Sequence, residues 1–597
     1  MLAVSLAPFV VWAPLPESVS LMIKKVGTAD PTKIAMQRDD EGWWHPAAPL
    51  PEGLSEDGGA EDFDYGFVLD DGDTVLPDPR SRRQPDGVHG WSRTYDPDTF
   101  SWTDQKWNGR QLAGGIIYEL HVGTFTPEGT LAAAIGRLDH LVGLGVDFVE
   151  LMPVNAFNGT HNWGYDGVLW YAVHEPYGGP QGYQAFVDAC HAAGLGVIQD
   201  VVYNHLGPSG NYLPQFGPYL NSGGANTWGE SPNLDGEDSD EVRRYIIDCA
   251  LMFLTDYHVD GLRLDAVHAL HDTRATHLLE EMAVDVDARS AFLGRPLPLI
   301  AESDITDPRL ISPRPAGGYG LDAQWSDDFH HALYVSLTGD ASGYYADFDT
   351  LDALSKVFEG GFFHDGTKSS FRGRSHGHPI DTYRTQTWRL VVCSDNHDQI
   401  GNRAAGERLS TKVNSRQLAI AAMITLLSPF TPMIFMGEEW GAGTPWCFFA
   451  SHPEPELAEL VRAGRLEEFA QMDWDTSAVP DPLDPQTFES SKLDWSELDR
   501  PEHAALLTLT TRLIEIRHSY PDFTDPRFDQ GHATSDDEGG WVLIERGGVI
   551  MVVNFHDHPA EVDVGRSVVP VFTIGDTEVD GETVRLGPHS ALVGDTS

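Results

Sequence analysis

Acidic side chains follow several apolar runs of the sequence, at points where strands would end. Asp265, Glu302 and Asp398 each come just after such a run, and Asp200 lies within a fourth. The carboxyl ends of parallel barrel strands meet at one rim, so these groups would converge there. Paired carboxylates can cleave a glycosidic bond, one as nucleophile and one as acid and then base, while a third stabilises positive charge.

Two other interpretations of the acidic cluster stay open at this point. The chain has 91 Asp and Glu residues, so some carboxylates reach any surface by chance. A hard cation would also take oxygen ligands. Arg263 precedes Asp265 by two residues and faces the same side of the strand, so it would repel a cation and keep the Asp265 carboxylate ionised.

The elements that must position these residues alternate between strands and helices. Helical stripes are predicted near 131–144, 183–193, 242–257, 418–427 and 504–516, with Asp238 and Ser239 as caps of the third. The candidate strands are 116–120, 146–151, 195–202, 261–265, 297–302, 322–327, 388–393 and 433–436. Eight strands alternating with helices favour a closed (β/α)8 barrel of the α/β class.

The two ends of the chain have a different pattern. Short β-rich runs at 9–14, 19–23, 64–69 and 74–77 predict an N-terminal β-sandwich over residues 1–95. A linker of turn-forming residues spans 96–113, and the barrel spans 114–522. Runs at 541–544 and 549–555 predict a small C-terminal β domain over 523–597.

Composition excludes several function classes. The chain has 39 Lys and Arg against its 91 acids, a net charge of −52, so nucleic acid and anionic membranes should repel it. The four cysteines lie far apart, without the spacing of a disulfide framework or zinc site. The apolar start at residues 1–4 lacks a basic region and no long apolar run follows, which predicts a cytoplasmic enzyme.

Four motifs resemble those of the α-amylase superfamily, glycoside hydrolase family 13. They are 200–205 (DVVYNH), 261–268 (GLRLDAVH), 300–303 (IAES) and 394–398 (SDNHD). The resemblance implies a retaining enzyme with Asp265 as nucleophile, Glu302 as acid/base and Asp398 as transition-state stabiliser. It implies further that the sugar before the cleaved bond is bound by Tyr165 in 162–165 (NWGY) and by the motif residues His205, Arg263 and His397. Asp200 and His268 of the same motifs are also expected to bind substrate.

Further segments are similar to those of the trehalose-releasing members of that superfamily. They are 11–14 (VWAP), 76–81 (LPDPRS), 84–89 (QPDGVH), 324–331 (QWSDDFHH), 397–403 (HDQIGNR) and 436–440 (MGEEW). This resemblance implies cleavage of the α-1,4 bond next to the terminal trehalose of maltooligosyltrehalose, leaving malto-oligosaccharides. It adds substrate-binding roles for Asp327, Asp328, His330, His331, Gln399 and Asn402.

Other functions remain to be separated from this one. Spacing does not tell whether water or a sugar hydroxyl resolves the covalent intermediate, so a 1,4-α-glucan branching transferase is the alternative. A non-catalytic carbohydrate-binding relative should have lost a catalytic carboxylate, and all three stand here. Asn211, Asn221 and Asn233 form no clear ligand set, so we expect no cofactor and no required metal. The oligomeric state is not predicted.

Overall fold

The computed structural model describes residues 9–50, 62–225, 228–471 and 479–596. The apolar start at residues 1–4 lies outside the described residues. Among the helices of the described ranges, none is long and apolar enough to cross a membrane.

The N-terminal region forms an antiparallel sheet in the strand order β1-β4-β3-β2-β5-β6. Its strands are β1 Val11–Trp12, β2 Val19–Lys25, β3 Thr32–Arg38, β4 Trp43–Pro46, β5 Phe63–Leu69 and β6 Ser92–Arg93. Strands β3 and β4 were not predicted, because β3 buries only Ile34 and Met36 and its alternation is weak. The run at 74–77 makes a single bridge, from Leu76 to Phe67, and no strand.

The centre is a closed parallel barrel, and its order β7-β8-β11-β14-β15-β16-β19-β20 confirms the predicted fold class. The barrel strands are β7 Ile117–Leu120, β8 Phe148–Leu151, β11 Gly196–Val201, β14 Gly261–Leu264, β15 Leu299–Ala301, β16 Ala323–Trp325, β19 Leu390–Val392 and β20 Thr431–Phe435. All their residues are buried, since helices cover the outside and side chains fill the inside.

Three strand pairs lie in the loops of the barrel. They are β9 Asn155–Ala156 with β10 Leu169–Val173, β12 Leu220–Ala225 with β13 Glu230–Pro232, and β17 Asp365–Ser369 with β18 Arg374–Gly377. The N-terminal sheet contacts the segment before β12, where the Trp12 ring meets Tyr219 edge-on at 5.0 Å.

Helices surround the barrel and also lie within the segments that connect its strands. They are α1 Val122–Phe125, α2 Leu131–Ile135, α3 Leu138–Leu144, α4 Gly179–Ala192, α5 Leu213–Phe216, α6 Ser239–Asp256, α7 Leu278–Leu293, α8 Asp327–Thr338, α9 Leu351–Gly360, α10 His397–Gly401, α11 Leu409–Lys412, α12 Ser415–Leu427, α13 Pro455–Gln471, α14 Pro485–Ser490 and α15 Pro501–Ser519.

Two details of the predicted helices are wrong. The stripe at 131–144 is two helices, because Gly136 ends α2 and glycine is a poor helix former. Asp238 precedes α6 with a φ of 60° and its side chain makes no capping hydrogen bond. A side chain in that left-handed conformation is not aimed at the first free N–H groups of the helix.

The C-terminal region forms two antiparallel sheets, in the orders β21-β22-β23-β28-β25 and β24-β27-β26. Its strands are β21 Gly531–Asp536, β22 Trp541–Arg546, β23 Val549–Asn554, β24 Ala560–Asp563, β25 Val569–Ile574, β26 Thr577–Asp580, β27 Thr583–Leu586 and β28 Ser590–Asp595. Buried residues such as Val552, Val584 and Leu592 pack between the sheets. The domain division at residues 95, 113 and 522 stays a prediction.

Candidate active site

The three carboxylates predicted to be catalytic lie at the carboxyl end of the barrel. Asp265 follows β14 directly, Glu302 follows β15, and Asp398 is the second residue of α10, in the loop after β19. The Asp265 and Glu302 side chains are each 13% exposed, whereas that of Asp398 is 44% exposed. Each is therefore accessible from the open end, because strand direction places it there.

Arg263 joins three of the acids. This fully buried side chain on β14 donates from Nη1 to Asp200 Oδ2 at 2.8 Å and to Asp265 Oδ1 at 2.7 Å. Its Nη2 lies 3.7 Å from Glu302 Oε2 and has no hydrogen-bond partner among the described residues. The guanidinium lies over the Trp325 ring at 4.3 Å. One cation thus stands between Asp265 and Glu302.

Asp265 is held from a second side. Asn204, three residues beyond β11, donates from Nδ2 to Asp265 Oδ2 at 2.7 Å. Asn204 lies in the motif 200–205, but no role was predicted for it. An amide side chain at the end of the strand next to β14 was a usable signal. The two contacts fix both oxygens of the Asp265 carboxylate.

Glu302 is set by the backbone that follows Asp265. Ala266 N donates to Glu302 Oε2 at 2.6 Å, and Ala266 has a φ of 39°, a left-handed conformation that is unfavourable for alanine. Burial raises the pKa of Glu302 well above its usual range; Arg263 opposes this shift, and the charge of Asp265 adds to it. Glu302 therefore keeps its proton at higher pH than an exposed glutamate.

Tyr165 and His397 form one side of the site. The Tyr165 hydroxyl donates to Asp200 Oδ2 at 2.7 Å and lies 2.8 Å from His397 Nε2. The His397 Nδ1 atom lies 2.5 Å from Oε1 of Glu119. Glu119 was not predicted as a site residue, although a carboxylate in the apolar strand β7 was a usable signal.

Other acids at this end also have shifted pKa values. Burial raises the pKa of Asp327 to about 7, and the charges of Asp398 and Asp304 add to the shift. Burial raises the pKa of Asp200 to about 6, although Arg263 opposes the shift. At this rim, neighbouring carboxylates thus add to the effect of burial on these two pKa values.

Two predicted histidines flank the loop that carries Trp228. His205 Nδ1 lies 2.5 Å from Asn204 Oδ1, and its ring is nearly parallel to Trp228 at 6.0 Å. The His268 ring lies 6.2 Å from the Trp228 ring, and its Nε2 is 3.8 Å from Asp304 Oδ1. Both histidines thus lie beside the strand ends that carry the carboxylates.

Five further predicted residues have contacts within the protein. Asp328 accepts hydrogen bonds from the backbone of Phe363 and His364, and His331 packs against Phe348. The other contacts are those of His330 Nδ1 with His331 Nδ1 at 3.1 Å, of the Gln399 backbone N–H with Asn396 Oδ1 at 2.8 Å, and of Asn402 Oδ1 with Arg465 Nη1 at 3.2 Å. Their substrate-binding roles stay predictions.

No group of three or more His, Cys, Asp or Glu side chains in the described ranges is arranged to hold a metal ion. Asn233 has a structural contact, since its Nδ2 donates to Pro218 O at 3.0 Å and Glu237 O at 2.8 Å. Asn211 Oδ1 accepts from Leu213 N at 3.2 Å. These contacts occupy two of the three asparagines considered above as ligands.

Comparison with known proteins identifies the family. Residues 82–216 match the α-amylase catalytic domain family. The chain is 57% identical to the malto-oligosyltrehalose trehalohydrolase of Rhizobium sp. (strain M-11), over 98% of this chain and 97% of that protein. The chain belongs to the malto-oligosyltrehalose trehalohydrolase family. The predicted likeness to α-amylases is thereby confirmed.

Two further proteins are similar to this member of the trehalohydrolase family, at lower sequence identity. A crystal structure described as a putative α-amylase from Salmonella typhimurium matches with a TM-score of 0.87 and 36% identity, covering 99% of this chain and 97% of that one. A 1,4-alpha-glucan branching enzyme of Xanthomonas campestris is 27% identical over 54% of this chain and 48% of its own. The branching enzyme is thus a much more distant relative.

Proposed function

We propose that the protein is a retaining α-glycoside hydrolase that cleaves the α-1,4 bond next to the terminal trehalose of maltooligosyltrehalose. The observation that carries the proposal is the pair Asp265 and Glu302, which lie at adjacent strand ends on either side of Arg263. The close likeness to a malto-oligosyltrehalose trehalohydrolase supports the choice of substrate. A cytoplasmic location remains part of the proposal.

In the first step the Asp265 carboxylate attacks the anomeric carbon, and Glu302 gives its proton to the glycosidic oxygen. Trehalose leaves, and the malto-oligosaccharide remains as an ester on Asp265. Arg263 and Asn204 each hold one oxygen of the Asp265 carboxylate, and the raised pKa of Glu302 favours its protonated form. Asp398, the most exposed of the three, stabilises the positive charge that develops at the anomeric carbon.

In the second step water attacks the ester, and Glu302, now ionised, accepts its proton. The malto-oligosaccharide leaves with the α configuration, since two inversions restore the original stereochemistry. Tyr165 and His397 would contact the sugar that carries this ester, and an aromatic face packs well against the apolar face of a pyranose. His205, Arg263 and His268 would contribute to the same binding site.

Product analysis on maltooligosyltrehalose tests the proposal. We expect free trehalose and a shorter malto-oligosaccharide, and proton NMR at early times should show the α anomer of its new reducing end. A malto-oligosaccharide of equal length without trehalose is the matched substrate, and it should be cleaved more slowly. A first-formed β anomer would contradict the retaining mechanism.

The branching transferase is tested with amylose. A branching enzyme would form 1,6 linkages by passing the ester to a sugar hydroxyl, whereas the proposed hydrolase passes it to water. We expect no new 1,6 linkages in the NMR spectrum of treated amylose. New branches, without release of trehalose from maltooligosyltrehalose, would favour the transferase.

A further inference from the structure

Glu119 lies inside the barrel and binds His397 at two points. It is the third residue of β7, and both side chains are only 1% exposed. Glu119 Oε2 accepts from the His397 backbone N at 3.1 Å, and Oε1 lies 2.5 Å from Nδ1 of the same residue. A buried carboxylate with two such N–H partners fixes both the ring and the backbone of His397.

The second contact determines how His397 faces the site. With Nδ1 bound to Glu119, the ring presents Nε2 to the Tyr165 hydroxyl at 2.8 Å and to Asp398 Oδ1 at 3.6 Å. The backbone contact is made at the first residue of α10, and Asp398 is the next residue. A shift of His397 would therefore move both a sugar-binding ring and the neighbouring carboxylate.

We propose that Glu119 is a positioning residue of this site, which holds the His397 ring and the start of α10 so that His397 Nε2 and Asp398 face the bound sugar. This inference rests on the proposed function. Glu119 acts through His397, so we do not expect it to touch the substrate.

The charges around His397 agree with this role. Burial alone would lower the pKa of His397, but the charges of Glu119 and Asp398 outweigh burial and raise it to about 9. The titratable and charged groups that face it from the packed elements are Glu119, His121, Glu150, Tyr165, Asp200, Arg263 and Asp398. The imidazole is thus a cation, with both ring N–H groups available to donate.

Glu150 on the neighbouring strand provides a matched control. It pairs with Glu119 in the register of β7 and β8 and is equally buried, at 1% exposure. Burial raises the pKa of Glu150 well above its usual range, which favours its protonated form. A neutral glutamine imitates a protonated glutamate, whereas it cannot replace a carboxylate that accepts two N–H groups from His397.

The test compares Glu119→Gln with Glu150→Gln in the full chain. We expect Glu119→Gln to lower kcat on maltooligosyltrehalose about tenfold or more, since small displacements of reacting groups have large effects on rate. We expect Glu150→Gln to keep the wild-type kcat. A wild-type kcat in Glu119→Gln, with normal thermal unfolding, would overturn the proposal.

A second measurement separates positioning from general loss of structure. The chain is labelled with ring ¹⁵N histidine, and the His397 signal is assigned by its loss in His397→Gln. We expect wild-type His397 to titrate near pH 9, to titrate at lower pH in Glu119→Gln and to be unchanged in Glu150→Gln. An unprotonated Nδ1 at neutral pH in the wild type would refute the proposal, even where Glu119→Gln fails to fold.

An error in the proposed function can be distinguished from an error in the proposed role of Glu119. If the wild type releases no trehalose but cleaves other α-1,4-glucans, the proposed function is wrong. The same kcat comparison is then made on the cleaved glucan. The histidine titration needs no substrate and decides the contact in either case.

Discussion

The two ends of the barrel each carry a cluster of histidines and carboxylates, and the clusters differ in how fully their members are paired. At the amino end, Asp260 comes just before β14 and accepts four hydrogen bonds. Its donors are Arg295 Nη1 at 2.5 Å, Trp107 Nε1 at 2.7 Å, Val197 N at 2.8 Å and His191 Nε2 at 2.9 Å. This carboxylate therefore uses all its acceptor positions.

The same cluster binds the predicted linker to the barrel. Asp104 Oδ2 accepts from His191 Nδ1 at 2.9 Å and from His258 Nδ1 at 2.8 Å. The Trp107 ring stacks on His191 at 4.5 Å, and the Trp102 ring stacks on His258 at 3.8 Å. Asp104 and Asp260 thus both accept hydrogen bonds from buried donors, so we interpret this amino-end cluster as structural.

The cluster at the carboxyl end is less completely paired. Buried Nε and Nη2 of Arg263 have no hydrogen-bond partner among the described residues, and neighbouring carboxylates add to the raised pKa values of Glu302 and Asp327. Such incompletely paired groups are expected where a ligand completes the site. These two clusters, both rich in charged groups, therefore differ in how completely those groups are paired.

The largest effect is expected for Asp265→Asn, which removes the proposed nucleophile. An amide cannot form the ester, so kcat should fall about 10⁴-fold or more. Binding of maltooligosyltrehalose, measured by calorimetry, should remain. If Asp265 served only to stabilise the fold, this variant would lose stability, and the fraction that remains folded would keep its turnover. That result would refute the assignment of Asp265 as nucleophile.

Glu302→Gln tests the proposed acid. A glutamine cannot donate the proton, so kcat should fall about 10²- to 10⁴-fold. The raised pKa of Glu302 means that the acid stays protonated as pH rises and is lost only above that pKa. In the wild type we therefore expect kcat/KM to fall on the alkaline side, and in the variant that fall should be absent.

A substrate with a better leaving group controls this result. Fluoride needs no proton to leave, so Glu302→Gln should form the ester from α-maltosyl fluoride at a rate much closer to that of the wild type. The measurement is the fluoride released in the first turnover, before the second step in which Glu302 accepts a proton from water. An equal loss of rate on both substrates would mean that Glu302 does not act as the acid.

Asp260→Asn tests the opposite side of the comparison. The variant leaves Arg295 buried without its carboxylate and removes one of the two carboxylates bound to His191, and loss of one partner from a buried ion pair costs about 3–5 kcal/mol. We expect a clear fall in the temperature of thermal unfolding, with unchanged kcat for the enzyme that remains folded. A large loss of kcat at full stability would show that the amino end also serves the reaction.

The sequence allowed the barrel and the carboxylates at its rim to be predicted for one physical reason. Buried parallel strands appear as short apolar runs, and the residue after each run lies at the rim whatever the loops do. Asp265 and Glu302 follow their strands directly, so their place needed no knowledge of the loops. The weakly patterned β3 was missed because its surface is mostly exposed.

Contacts that depend on barrel closure could not be predicted. Glu119 and His397 are 278 positions apart in sequence, and no local pattern brings β7 beside α10. Asp327 and Asp328 show the same limit at short range. They are adjacent, yet Asp327 faces the charges of Asp398 and Asp304, while Asp328 holds the backbone of residues 363 and 364.

The smallest expected effect concerns pH and the amino-end cluster. Burial lowers the pKa of His191, but its hydrogen bonds to Asp104 and Asp260 outweigh burial, so its pKa is raised. Because the folded pKa lies above the unfolded value of about 6.5, this stabilisation is complete below that pH and is lost as pH rises through the folded pKa. We expect the unfolding temperature to fall by a few degrees over that range.

Asp104→Asn should weaken this dependence on pH, since it removes one of the two carboxylates that hold the proton on His191. Asp188→Asn is the matched control, because Asp188 binds the same linker through Thr103 without a histidine. It should leave the slope of unfolding temperature against pH unchanged, even where it lowers the temperature itself. Equal slopes in the wild type and Asp104→Asn would show that this cluster holds the linker by packing, independent of its charge.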